Sequence, residues 1–256
     1  MKALVINLDG EVARMAFMAE QLTALGIAFD RLQATTPDTL SPPPNDPYWS
    51  LWERPLRTTE MAAMASHRAA WSRVLEENAP MLILEDDAVL HGATPSFLEA
   101  VAPIDEAELV SLETRGRAKL ISRKNHPQAL IHRLWQDRSG AAAYVLRPAG
   151  ARKLLARVAK APGLADAILC AAYDVSAWQA VPAIACQLDM CEAYGMSPPL
   201  STVSAIDSEP RPTSPKSRSQ KLRRFWAQAR MGLRQLIRWP GATRLIVPYG
   251  MVNSDR

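Results

Sequence analysis

With 256 residues, 48% of them hydrophobic, the chain can bury a full core, and one large domain plus an appendage is expected. Three cysteines (Cys170, Cys186, Cys191) without a CxxC and four scattered histidines (His67, His91, His126, His132) without an HExxH argue against a disulfide framework and a zinc hydrolase. The net charge of +4 hides an asymmetry: ten Lys/Arg and no Asp/Glu lie between Arg211 and Arg244, so the rest of the chain carries −6.

Residues 3–8 (ALVINL) read as a buried strand ending in the turn-like Asn7-Leu8-Asp9-Gly10. From Glu11 to Leu25 the apolar Met15, Met18, Leu22 and Leu25 recur at steps of three and four, a helix closed by Gly26. Residues 27–32 form a second strand, and strand–helix–strand is the opening of an α/β sheet. Residues 36–55 are rich in proline and include Tyr48, Trp49 and Trp52. They read either as a rigid connector or as an aromatic loop over a substrate cleft. Thr58-Thr59-Glu60 starts a helix running to about Asn78, with Thr58 or Thr59 as N-cap.

Residues 81–84 (MLIL) are a strand that stops at three consecutive carboxylates, Glu85, Asp86 and Asp87. Ligands of open α/β sheets bind at the carboxyl edge of the strands, so this block is placed where a ligand would be. Adjacent carboxylates repel and need either solvent or a cation. Mg²⁺ or Mn²⁺ is held by one or two carboxylates and completes its shell with substrate phosphates. A metal–diphosphate site and a solvated acidic turn are therefore the two readings. Side chains alternate on a strand, which would aim Glu85 and Asp87 together and Asp86 elsewhere; a turn after Glu85 would instead let Asp86 and Asp87 act as a pair.

A short helix (97–101), a strand (108–112) and two paired strands (120–121 and 130–135) follow. A strand at 141–146 leads into a helix beginning at Pro148 and reaching about Val158. A helix near 166–173 and a strand near 175–181 complete the globule. There are no internal repeats and no glycine-rich phosphate loop, which removes P-loop NTPases and ordinary dinucleotide-binding domains.

Beyond a Ser/Pro-rich linker at 208–220, residues 221–238 place Leu222, Phe225, Trp226, Leu233, Leu236 and Ile237 at helical spacing, with Lys221, Arg223, Arg224, Arg230, Arg234 and Arg238 between them. This basic amphipathic helix, with Trp239 past its end, suits an anionic membrane surface through residues 221–239. Packing on the domain with its charges in water is the plainer alternative. Nucleic acid is not an expected partner, because the acidic globule offers no second basic face. No run approaches the roughly 18 apolar residues of a spanning helix. Residues 3–8 are too short for a signal-peptide core. A cytoplasmic protein, peripheral at the inner face of the cytoplasmic membrane, is expected.

Several blocks together resemble a known family. They are Val5-Ile6-Asn7-Leu8-Asp9 with Arg14, Gln21-Leu22 and Leu25-Gly26; Leu56, Glu60, Ser66-His67 and Ala70-Trp71; Ile83-Leu84-Glu85-Asp86-Asp87-Ala88; residues 108–112; and Gly140, Tyr144, Gly150-Ala151 and Lys153-Leu154-Leu155. Asp166 and Pro182 follow at fitting positions. In this order and spacing they are similar to glycosyltransferase family 25, the beta-galactosyltransferase-like proteins of bacterial lipooligosaccharide and lipopolysaccharide synthesis, over about residues 3–190.

The resemblance implies a GT-A-like, Rossmann-type nucleotide-sugar-binding domain over residues 1–207, followed by the linker and a C-terminal arm at 221–256. It implies inverting transfer of a sugar, with galactose a candidate, from a UDP-sugar to a glycolipid or oligosaccharide acceptor, assisted by Mn²⁺ or Mg²⁺. On this reading Glu85, Asp86 and Asp87 are the metal candidates, with Asp87 the favoured direct ligand. Asn7, Asp9, Arg14, Ser66 and His67 are candidates for donor contacts. Asp166 is the candidate general base, its competing role being a helix N-cap; Asp174 and Glu113 are the other acids considered. The chain departs from the family pattern at Gly10 and Met15 (each in place of Arg), at Ala62-Ala63 and at Ala141-Ala142. A relative that keeps the fold and binds without catalysing is therefore the competing reading.

Overall fold

A computed structural model describes residues 1–138, 140–200, 209–210 and 217–250. Most of the linker expected at 208–220 lies outside these residues. The strands are β1 (Lys2–Asn7), β2 (Phe29–Gln33), β3 (Met81–Glu85), β4 (Ala88–Leu90), β5 (Leu109–Ser111), β6 (Ala118–Asn125), β7 (Ile131–Gln136), β8 (Ala143–Leu146), β9 (Ala177–Ala180), β10 (Ala185–Gln187) and β11 (Ala242–Ile246). The α-helices are α1 (Val12–Ala24), α2 (Thr58–Glu77), α3 (Thr94–Val101), α4 (Pro148–Val158), α5 (Ala165–Ala171) and α6 (Arg218–Arg238).

Nine strands form one mixed sheet in the order β11-β6-β7-β9-β5-β8-β3-β1-β2, and β4 pairs with β10 in a small second sheet. The pairs β1–β2, β1–β3 and β5–β9 are parallel; the remaining pairs of the large sheet are antiparallel. This is the α/β, Rossmann-like architecture expected of the chain.

The continuous apolar runs of β1 and β3 follow from burial on both faces. Ala3, Val5, Leu82 and Leu84 pack with Met18 and Leu22 of α1 on one side. Leu4, Ile6, Met81 and Ile83 pack with Trp71 and Val74 of α2 and Leu154 of α4 on the other. Period-two alternation within each strand thus feeds two cores, and the sheet is the middle layer of three.

Because α1 and α2 lie on opposite faces, the chain leaves β1 on one side of the sheet and enters its neighbour β3 on the other. The carboxyl ends of β1 and β3 therefore open into a crevice that neither helix covers, the place where α/β sheets bind ligands. The register, Ile6 opposite Glu85, puts the acidic block at the mouth of that crevice.

Three local expectations are corrected. Helix α2 is capped by neither threonine: Arg57 is the N-cap residue, and its backbone N–H donates to the Glu60 carboxylate at 3.0 Å. Asp166 is not an N-cap either, since Leu164 holds that position and Asp166 sits within the first turn of α5. Trp49 does not overhang a cleft. It is buried with Leu40, Leu56, Met61 and Ala65 in a small core of its own, where its indole N–H reaches the carbonyls of Pro42 and Pro43.

The C-terminal segment contains one element with no counterpart in the sequence reading. Strand β11 pairs antiparallel with β6 and extends the large sheet by an edge strand. Among the described residues, no helix is long and apolar enough to cross a membrane.

Candidate active site

The crevice is a cavity of about 180 Å³. Its floor is Ile6 and Leu8 at the end of β1 and the acidic block after β3, its walls are Arg14 of α1 and Ala62, Ala63, Ser66 and His67 of α2, and Gln187 closes one side. The chain turns at Asp86-Asp87 between β3 and β4, and this turn separates the three acids into two groups.

Asp86 faces α1. Its carboxylate accepts from Asn7 Nδ2 (2.8 Å) and Arg14 Nη1 (3.1 Å). Burial raises its pKa, while Asn7 and Arg14 pull it back down. Glu85 and Asp87 face the other way, onto one carboxamide. Gln187 Nε2 lies 3.3 Å from Glu85 Oε2 and 3.3 and 3.2 Å from the two Asp87 oxygens. Burial, reinforced by the charge of Glu85, lifts the Asp87 carboxyl to about 7.

The second oxygen of Glu85 is held from α2. His67 is 2% exposed; its Nε2 lies 3.0 Å from Glu85 Oε1 and its Nδ1 lies 2.9 Å from the Tyr144 hydroxyl. That hydroxyl already accepts from Trp71 Nε1 at 2.8 Å. Tyr144 is fully buried and its pKa is raised by burial, so it keeps its proton. Its single O–H is then satisfied by donation to His67 Nδ1, which leaves Nε2–H to donate to Glu85. A chain Trp71→Tyr144→His67→Glu85 runs from the core to the crevice.

The donor set fits a hard divalent cation. Two carboxylates of different residues turn toward one point, that point holds a hydrogen-bond donor, and the two half-buried acids carry more like charge than one amide offsets. Among the described residues no three His, Cys, Asp or Glu side chains are gathered into a metal cage. Two carboxylates with substrate phosphates completing the shell is the usual mode for Mg²⁺.

The other candidates are dispersed in role. Asn7 binds Asp86 and Arg31 through its side chain and so supports the acids from behind. Asp9 is turned outward to Arg31 and Gln33 and does not line the crevice. Ser66 Oγ accepts from Thr35 N–H at 2.8 Å and donates to the Ala62 carbonyl, tying the end of β2 to α2.

Asp166 stands outside the cavity lining. Its pKa is raised, foremost by burial, with a hydrogen bond from Ala167 N–H opposing and the charges of Glu85 and Asp137 adding to it. His67 also interacts with it electrostatically. Glu113 and Asp174 do not face the crevice. Glu113 is 1% exposed behind Gly140, where an added Cβ would stand 2.0 Å from Glu113 Oε1, and Asp174 pairs with Arg157 at 2.9 Å.

The departures from the family pattern divide by environment. A side chain at Gly10 would meet open space, so the backbone does not demand glycine there. Ala62 and Ala63 line the crevice, while Ala142 is buried and donates its N–H to Glu113. Gln187 was not singled out from the sequence, and Tyr144 was named there only within a block resembling the family, with no role at the site. A lone Gln at the end of a short strand carries no pattern.

A family model described as Glycosyltransferase family 25 (LPS biosynthesis protein) matches residues 1–171. No curated protein matches the chain. Among solved structures it is similar to the inositol-1-phosphate CTP transferase from T. maritima, at 15% identity over 73% of this chain and 68% of that one, with a TM-score of 0.32.

Proposed function

The chain belongs to glycosyltransferase family 25, and from that premise we propose that the crevice binds a UDP-sugar and that the sugar, galactose being the leading candidate, passes to a glycolipid of the lipopolysaccharide type. The observation that carries this is the convergence of Glu85 and Asp87 on one point at the carboxyl edge of β1 and β3.

Asp87 and Glu85 would hold Mn²⁺ or Mg²⁺, which neutralises the charge that develops on a departing diphosphate. His67, fixed by Tyr144, keeps Glu85 in one orientation before any ligand arrives, so little reorganisation is needed on binding. Arg14 is held at the crevice wall by Asp86, where its positive charge favours a phosphate.

An inverting transfer needs a base to take the proton of the acceptor hydroxyl. Asp166 supplies it: a carboxyl with raised pKa is a better proton acceptor than an ordinary surface aspartate. The small side chains of Ala62 and Ala63 leave room on the α2 wall for the nucleotide.

The α6 helix supports a membrane-peripheral setting. At 100° per residue, Leu222, Phe225, Trp226, Leu233, Leu236 and Ile237 form one stripe, and each is more than half exposed. The opposite, polar face meets the domain. Arg234 Nε donates to the Trp135 carbonyl (2.7 Å), Arg223 Nη1 to the Ser50 carbonyl (3.0 Å), and the Arg238 guanidinium lies 4.2 Å from the Trp135 ring centre. The helix thus presents its apolar side outward, with Lys221 along its margin, as an interfacial helix on anionic lipid does.

Isothermal titration of UDP-galactose with and without Mn²⁺ tests the assignment. Metal-dependent binding is expected; nucleotide binding that ignores the metal removes the metal site. No nucleotide binding at all leaves the fold as a binding module without transferase activity.

A further inference from the structure

A second cavity, of about 680 Å³, lies where α5 and the first half of α6 face the loop at Trp52. Four guanidinium groups, Arg138, Arg157, Arg224 and Arg230, and two aromatic side chains, Trp52 and Tyr173, line it. Its two carboxylates are Glu53 and Asp137, and Asp137 is ion-paired with Lys119 at 2.6 Å. Arg157 donates Nη2 to Asp174, but its Nε is buried and has no acceptor. The cavity therefore carries excess positive charge.

The chemistry of these side chains limits the occupant. Forked guanidinium donors match the oxygens of phosphate or carboxylate, and the Trp52 face suits a ring that is polar at its rim and less so on its face; the Tyr173 ring is already engaged by Arg234 at 4.5 Å and Arg230 at 5.9 Å. Neither a purely apolar ligand nor a cation fits.

The position of the cavity relates it to the crevice. Ala167 and Ile168 line it, while the residue before them, Asp166, interacts electrostatically with Glu85 and His67 of the crevice. Asp166 is thus next in sequence to the lining of the second cavity and feels the charges of the crevice. The crevice, at about 180 Å³, is already smaller than the roughly 300–1,000 Å³ of an ordinary small-molecule pocket. At that volume the crevice encloses only part of a nucleotide-sugar, and a saccharide acceptor needs space outside it.

We infer that this second cavity binds the saccharide acceptor through an anionic substituent, a phosphate or a carboxylate carried on a sugar. The inference rests on the transferase reading and gives its acceptor a place and a charge. The acceptor hydroxyl would approach from the α5 side, next to Asp166. The lipid end of such an acceptor would lie toward α6, whose outer face is the apolar stripe.

Saturation-transfer NMR on the full chain tests this with galactose phosphate, galacturonate and galactose. Both anionic sugars should bind ~10-fold or more tightly than galactose. An Arg224→Gln/Arg230→Gln double variant should lose that preference while UDP-galactose affinity in the crevice stays unchanged; Arg157→Gln is a second variant with the same expectation.

Equal affinity for galactose, or an unchanged preference in the variants, overturns the proposal. So does inorganic phosphate binding as tightly as galactose phosphate, which marks an adventitious ion only. Displacement of the sugar by phosphatidylglycerol vesicles would assign the arginines to lipid headgroups and overturn it as well. Retained binding of anionic sugars alongside absent UDP-galactose binding would count against the transferase reading alone.

Discussion

His67 Nε2 stands 3.0 Å from Glu85 Oε1, and the only proton arrangement that satisfies Trp71, Tyr144 and His67 together makes this nitrogen the donor. The imidazole therefore acts on the carboxylate and not on the ligand directly. Supports of this kind are worth about 10–100-fold in affinity or activity. His67→Ala should weaken Mn²⁺-dependent UDP-sugar binding by that factor, and Tyr144→Phe should weaken it less, because Phe removes the proton that fixes the ring but keeps the packing. Calorimetry on both variants checks this; a Tyr144→Phe loss equal to that of His67→Ala would argue against the relay.

Asp87 puts both of its carboxylate oxygens within 3.3 Å of Gln187 Nε2, where Glu85 puts one. Asp87→Asn keeps the shape and removes the charge, and should abolish metal-dependent nucleotide binding without lowering Tm. The raised pKa of Asp87 shows that its ionised form is held at a cost in the fold, so the variant is expected to be at least as stable as the parent near pH 8. Thermal melts beside titrations separate lost binding from lost structure.

Asp166→Asn should cut turnover by roughly 10²–10⁴ if this carboxyl is the general base, with UDP-sugar affinity little changed because the side chain does not line the crevice. A parallel fall in affinity would instead show that Asp166 holds the donor.

Glu113 gives a pH-dependent stability. Burial, with lesser contributions from Glu85 and Asp137 and against the pull of Lys119, raises its carboxyl from 4.5 to about 8. A raised acid binds its proton more tightly folded than unfolded, so its stabilising contribution is complete below about pH 4.5 and is lost as pH rises through about 8. Glu113→Gln has no proton to lose. Its Tm should match the parent near pH 5 and exceed it by on the order of 5 °C at pH 9, reflecting on the order of 2 kcal/mol. A difference independent of pH would contradict the assignment.

Phe225→Glu with Leu236→Glu puts two charges into the exposed stripe of α6. The domain-facing contacts of Arg223 and Arg234 are untouched. Sedimentation with phosphatidylglycerol vesicles should fall to the level seen with neutral vesicles, while the fold is kept. These substitutions are a cleaner test than removing the C-terminal segment, because β11 pairs with β6 and its loss would expose a sheet edge.

The sequence by itself determined the parts of this protein that repeat at short range. The continuous apolar runs at 3–6 and 81–84 needed burial on two faces, the three-and-four spacing after Glu11 needed a helix, and the stop at Glu85 put the acids at a strand end. Each is a consequence of backbone period and apolar content, which a local window contains. The amphipathic pattern of 221–238 was equally legible.

What the tertiary structure decided is direction and partnership. Gln187 reaches Glu85 and Asp87 from 102 and 100 residues away, and Tyr144 reaches His67 from 77. These meetings depend on strand order, which no local period encodes. The same holds for α6, where the pattern defined an apolar face but only packing against Trp135 and Ser50 turned it outward. It holds also for β11, whose five residues join the sheet because β6 offered an open edge.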